Sequence, residues 1–465
     1  MISETVVELS RWQFAISAML HFLCIPMTLG LALLLALMES VFVATGQQLY
    51  KAMAQFWGRL FVISFLLAVA TRLVVICQFG MNGSYFAQYA GDVFALPLAI
   101  EAMTGFFLAA ALVGPYWFGW DKLDKIQHLL ITWLIVLAVN VSAYWVLMAN
   151  GWLQNPLAAS FNYQSYRMEL TDLGQLFNNP AGIAKYLHTA AASYVTGAAT
   201  MMAISAYFLR KQPTDLMARH SFNLSAVLGL VALVATVWLG DTTPQLTHPV
   251  QQAKLAAIQG EDLGKLLPDA EARVRSGMKA FGLLEGLRDD QHDPQLLTEF
   301  EQHKANLGYG LLLTPFHKAI LGATDKQIKQ AAQSALPAYP RLLSGAYRAM
   351  IAAGVMSLLW FLLAVFNGFK AQLLPTWLLS ASIYLASLPW LASILGWFVA
   401  EAGKQPWAIA GVLPTFLSVS SLSVKELLIS VLGYGFAYVV LFGAGFYLMR
   451  QAIISHNAND QGAKS

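Results

Sequence analysis

Five residues sit in apolar surroundings and carry chemistry that folding alone does not require. They are His21 in "SAMLHFLCIPMTLG", Glu101 in "PLAIEAMTGFFL", His188 in "AKYLHTAAASYVTGA", Met350 in "SGAYRAMIAAG" and Glu401 in "GWFVAEAGKQPWAI". Imidazole nitrogen and thioether sulfur bind metal ions, and a carboxylate does so too or carries a proton when burial raises its affinity. Ionisable groups among apolar residues of a membrane span are costly, which makes each a functional candidate. Taken singly, a lone histidine serves as readily for a structural hydrogen bond as for a ligand.

What must position them is membrane-embedded. Of the 465 residues 57% are hydrophobic and only 11% charged, whereas soluble domains carry about 25% charged residues. A spanning helix needs about 20 mostly apolar residues. Nine such runs stand at roughly 13–42, 54–79, 95–118, 127–149, 184–209, 220–240, 345–367, 374–399 and 424–449. The fold expected is therefore an all-α integral membrane protein, a bundle of about nine transmembrane helices with a long extracytoplasmic loop between helices six and seven. It divides into residues 1–240 (the first six spans), 241–343 (the loop) and 344–465 (the last three spans and a tail). The loop gathers much of the chain's charge and should hold short amphipathic helices. No cleavable signal is evident, so the first run reads as a retained helix.

Basic residues in short loops orient the bundle. Lys51, Lys122, Lys125, Arg210, Lys211, Arg219, Lys370 and Arg450 fall on one side, against chiefly Arg11, Arg167 and Lys404 on the other. The first side is then cytoplasmic, with the N-terminus and long loop outside and the C-terminus inside. Cys24 and Cys77 have no metal-type spacing and read as buried packing residues. His128 and His220, at cytoplasmic span ends, read as interfacial, and His248, His292, His303, His317 and His456 as solvated.

This orientation brings the five residues to one depth. Spans one, five and seven enter from outside, so His21, His188 and Met350 lie in the outer half. Glu101 starts span three there and Glu401 ends span eight there. Histidine and methionine are common axial ligands of haem iron, and a run such as "TAAASYVTGAAT" could admit a flat macrocycle, although close helix packing explains it equally well. No CxxCH is present, so a haem would be held without thioether links.

Nearly the whole chain resembles subunit I of the cytochrome bd-type quinol oxidases. The resemblance runs through "SRWQFAISAMLHF", "FWGRLF", "PLAIEAMTGFFL", "ANGWLQNP", "YLHTAAASYVTGA", "LGD" followed by "KLAA", "LGYGLLL" and "GWFVAEAGKQPWAI". It implies that His188 and Met350 are axial ligands of a low-spin haem b. It also implies that His21 and Glu401 bind the irons of a high-spin pair, one haem b with a haem d or a further haem b. Arg348 would stand beside the low-spin haem and Trp397 would pack on the haem group. Glu101 would serve the proton route, and Lys254 and Gln259 the quinol site. The implied activity is oxidation of a membrane quinol at the outer face and reduction of dioxygen to water, in a bacterial inner membrane. Implied partners are a second membrane subunit and a small single-span subunit; no nucleic acid is expected.

Departures from the family cluster at polar positions. Ala109 stands for an acid, Gln259 for a glutamate, Ile76 and Cys77 for an acid and an aromatic, Gly83 for a tryptophan and Gly445 for a frequent glutamate. Lys404 replaces an arginine and Arg72 a glycine. The first reading is a divergent oxidase with rerouted proton entry. A haem b, quinol-linked electron-transfer paralogue with little oxygen reduction comes second, and a non-redox transporter third.

Overall fold

In hydrocarbon a chain must satisfy its backbone polar groups internally, so apolar runs of this length become helices. The computed structural model describes residues 3–247, 251–289, 293–317, 319–370 and 372–462, apart from the side chains of 242–247 and 456–462. Among the described residues nine helices are long and apolar enough to cross a membrane. Spans one to nine are Glu4–Thr45, Gln48–Asn82, Ser84–Phe118, Lys125–Gln154, Leu173–Lys211, Leu216–Asp241, Pro340–Gly368, Thr376–Ala402 and Val424–Ser455. Most overrun the apolar limits read from sequence because their capping residues lie beyond the apolar runs. Ser3 accepts from the Val6 amide to open span one, and Gly46, in the left-handed region (φ 71°), closes it. Asp124 and Gln127 form a capping box at span four. Asn179 caps the main helix of span five, whose first residue is Pro180.

Spans one and five form the interior. Their apolar windows are 61% and 67% buried, against 17% for span nine, which faces outward. They meet at Gly30 and Gly197, where an added Cβ on either would lie within 2.6 Å of the other's backbone. Only glycine permits that approach. Span three is interrupted by a π-helical turn, Ala102–Phe106, directly after Glu101.

The long loop is folded. Helices Gln252–Gln259, Leu267–Asp289, Pro294–His303, Leu307–Leu311 and Asp325–Ser334 build it. A small core of Val274, Leu313, Ile328 and Trp407 ties it to the chain after span eight. Two antiparallel hairpins, Ala159–Asn162 with Arg167–Leu170 and Trp407–Ile409 with Leu413–Pro414, were not expected from the sequence.

Two expectations about single residues are corrected. Cys24 is buried but Cys77 is exposed on span two; an apolar run does not reveal which of its faces meets neighbouring helices. His128 is not interfacial: it is 3% exposed, with Nδ1 2.6 Å from Glu39 Oε1 and Nε2 2.9 Å from the Tyr116 carbonyl. His248 and His292 lie outside the described residues, as does the side chain of His456.

Candidate functional site

Each candidate ligand is oriented by a neighbour that fixes its free atom. His188 Nδ1 lies 3.1 Å from the Thr236 carbonyl oxygen. A carbonyl only accepts, so Nδ1 carries the proton and Nε2 keeps a lone pair. Gly240 makes room for the ring, since a Cβ there would stand 3.1 Å from His188 Cε1. His21 Nδ1 lies 3.0 Å from Thr71 Oγ1, whose own proton goes to the Leu67 or Ala68 carbonyl. Thr71 therefore accepts, and His21 Nε2 is again the free atom. Met350 sulfur sits opposite Gly396, 3.0 Å from where a Cβ would be.

Glu401 ends span eight among donors. Lys404 Nζ is 2.7 Å from Oε2, and Oε1 has Asn150 Nδ2 at 3.1 Å and Lys185 Nζ at 3.5 Å. Lys185 also donates to Asn150 Oδ1. An ionised carboxylate offers about four lone-pair sites, so these contacts leave capacity for a metal bond. One turn before Glu401, Trp397 stacks on Phe22, ring centroids 4.9 Å apart and 13° from parallel. Lys185 Nζ lies 5.8 Å from the Trp397 ring.

Glu101 is fully buried and takes both arms of the Arg72 guanidinium, with Ser142 Oγ donating to the same carboxylate. The π-turn helps build this site. Gly105 within it faces Ser142 so closely that a Cβ would stand 2.6 Å from the serine Cα. Arg72 adjoins Thr71, the partner of His21, and His21 adjoins Phe22, the partner of Trp397. Glu101, His21, Trp397 and Glu401 thus form one connected constellation. Met350 joins it through Gly396, and His188 through Lys185 one turn earlier on span five.

The quinol-site candidates separate. A cavity of about 460 Å³ opens between the end of span four, the long loop and the turn after span eight; its lining includes Gln154, Lys254, Arg273, Tyr309, Lys404 and Gln405. Lys254 Nζ donates to Gln154 Oε1 at 3.0 Å, and burial, reinforced by the charge of Lys185, lowers its ammonium pKa to about 7. Its helix packs on spans seven and eight through Leu255, Ile258, Leu343 and Val399. Gln259 is exposed and does not line the cavity. Arg348 is exposed near Gly260. Lys185, Asn150 and the Glu39–His128 pair were missed from sequence. The one available signal was a lysine a single turn before His188.

The donor set suits haem: two imidazoles with Nε2 free, a thioether beside a glycine, and a carboxylate with spare capacity. Residues 9–457 match the family described as cytochrome bd terminal oxidase subunit I. The chain is 36% identical over 493 residues to the cytochrome bd-II ubiquinol oxidase subunit 1 of Escherichia coli, covering 96% of each. It is 31% identical over 459 residues to the cytochrome bd ubiquinol oxidase subunit 1 of Bacillus subtilis, covering 95% of this chain and 91% of that one. In fold it is similar to the bd oxidase of Geobacillus thermodenitrificans, with a TM-score of 0.76 at 20% identity over 98% of this chain and 100% of that one.

Proposed function

The chain belongs to the cytochrome bd terminal oxidase subunit I family, and on that footing we propose that it oxidises a membrane quinol at the outer face and delivers the electrons to dioxygen. It is a multi-pass membrane oxidoreductase subunit. His188 and Met350 would hold a low-spin haem b, and His21 and Glu401 a high-spin pair of haem b with haem d or a second haem b. When bound, the haems supply electron transfer and dioxygen reduction, in which two quinols yield the four electrons that, with four protons, convert one dioxygen to two waters.

The residues do the remaining work. The cavity beside Lys254 receives the quinol ring, and Lys254 and Gln154 offer its hydroxyls donors and acceptors. One observation carries this reading: the cavity wall is the same turn, Gly403 to Gln405, that follows Glu401. Gly403 has no side chain where the Lys254 stem crosses it, a Cβ there standing 2.6 Å from Lys254 Cγ. Quinol cavity and ligand constellation thus share a wall, which supports short-range electron delivery. Trp397, stacked on Phe22, and the Thr71 and Thr236 contacts hold the ligands in place. Relatives named as subunit 1 support a second membrane subunit as partner, and a small single-span subunit is compatible with the apolar outer faces. Basic residues support an inner-membrane orientation with N-terminus and long loop outside.

Reduced-minus-oxidised spectra of the purified protein test the cofactors, and quinol-dependent oxygen uptake tests the reaction. Haem bands with uptake are the expected result. Haem bands without uptake would favour the electron-transfer paralogue, a reading kept because Ala109, Gln259 and Gly445 stand where the family has acids. Absence of haem would overturn both.

A further inference from the structure

Spans one and two carry a polar ladder of which the proposed reaction uses only the inner rung, His21 with Thr71. Gln13, Ser17 and His21 follow at one-turn spacing on span one, and Thr71, Gln78 and Asn82 share a face of span two. The outer rung is Asn82 Nδ2 donating to Gln13 Oε1, with Gln13 Nε2 donating to Ser430 Oγ of span nine at 2.9 Å. The inner rung is His21 with Thr71, and two turns deeper Thr28 Oγ1 lies 3.3 Å from Ser64 Oγ. Ser17 and Gln78 each lie one turn inward of the outer rung, on spans one and two respectively.

The middle rung is open. Gln78 is 0% exposed, yet neither its amide nitrogen nor its oxygen has a protein partner, and Asn82 Oδ1 has none either. A buried polar group is costly to leave unpaired, and buried polar groups without protein partners are generally met by ordered water. An amide that both donates and accepts, beside a second free oxygen, suits water and no single ion. Tyr438 closes the outward side, its hydroxyl donating to the Ser17 carbonyl at 3.1 Å. Beyond Thr28 and Ser64 the interface becomes the apolar core around Leu31, Leu60 and Trp57. The ladder therefore leads only towards the outer face.

We propose that spans one and two enclose a file of ordered water, held by Gln13, Ser17, Gln78 and Asn82, that links the outer face to His21. Eight helical residues make it about 12 Å long. Its lining is neutral amide and hydroxyl, so it stores no charge; it passes water, and protons only by hopping along that water. Its use as an exit for water formed by dioxygen reduction rests on the oxidase reading above, whereas its hydration does not.

X-ray hydroxyl-radical labelling of the haem-loaded protein, read by mass spectrometry, tests the file, because bound water generates radicals where bulk solvent does not reach. Tyr438 and Tyr116 are both buried, at 4% and 1% exposure, but only Tyr438 touches the ladder. The expected result is Tyr438 labelled severalfold faster than Tyr116, with Gln78→Met bringing it down to the Tyr116 rate. Equal rates in the wild-type protein would overturn the proposal, whether the seam is dry or filled by another group. So would a Tyr438 rate unchanged by Gln78→Met. If Gln78→Met does not fold, the wild-type comparison decides alone. A protein that bound haem but consumed no oxygen would refute the oxidase reading and leave this labelling unaffected.

Discussion

Arg72→Met is the most informative single change, because it isolates a feature in which this chain departs from the family it resembles. Methionine keeps most of the stem but removes the guanidinium from Glu101. That carboxylate is 0% exposed and would retain only the Ser142 hydroxyl, while Arg72 itself is 18% exposed. Breaking a buried ion pair from one side costs about 3–5 kcal/mol, because an uncompensated charge stays behind. Partial access of water to the vacated space and the surviving Ser142 bond place the expected loss near the lower end, about 3 kcal/mol. Glu101→Gln should cost less, about 1–2 kcal/mol, since the stranded arginine can reach water. With both changes no charge remains buried, and the double variant should lie within about 1 kcal/mol of the parent.

The assay is equilibrium unfolding in mixed micelles of the parent, both single variants and the double variant. The cycle should return a coupling energy above about 2 kcal/mol. If Arg72→Met unfolds within about 0.5 kcal/mol of the parent, or if the single losses merely add, the pair is not a tight buried contact. The reasoning from burial and geometry would then fail.

Three further outcomes are expected. His188→Leu and Met350→Leu should each remove the low-spin haem signal from the reduced-minus-oxidised spectrum, and a signal surviving both would exclude these residues as its ligands. Lys254→Ala should lower quinol turnover while extracted haem stays at the parental level; equal loss of both would make Lys254 structural. Because burial holds the Lys254 pKa at about 7, below the ordinary lysine value of about 10.4, the unfolded chain binds more protons between those values. Its contribution to stability should rise with pH across that window, and unfolding midpoints from pH 7 to 10 should show a shallower rise in Lys254→Met.

Much of the fold was legible because hydrocarbon leaves a chain few options. Runs such as residues 54–79 had to be helices. Membership of a span was legible too: His21, Glu101, His188, Met350 and Glu401 all lie on membrane-length helices. Rotation about each helix axis was not. It decides that Cys77 faces outward and that His128, read as interfacial, turns inward to Glu39. Partners supplied by distant segments were equally hidden, as with Asn150 for Glu401 and Ser142 for Glu101. The π-turn after Glu101 has no periodicity to betray it, and the exposure of Gln259, a position singled out by the family resemblance, could not be read from its place in the chain.

Lys404 shows how a departure can keep the electrostatics of a site while changing its geometry. An arginine in its place would grip a carboxylate with two parallel bonds; lysine presents a single compact charge. Here the two oxygens of Glu401 are served separately, Oε2 by Lys404 at 2.7 Å and Oε1 by Asn150 at 3.1 Å with Lys185 at 3.5 Å. The second arm of the missing fork is thus replaced by an amide and an ammonium from spans four and five. That arrangement binds span eight to the helix carrying His188 as an arginine three residues away on the same chain could not. Two ammonium groups on one carboxylate also leave the locality net positive where little water can screen it. Lys404→Arg would therefore not simply restore a family feature: its fork would compete with Asn150 and Lys185 for Oε1 and loosen the link between spans five and eight.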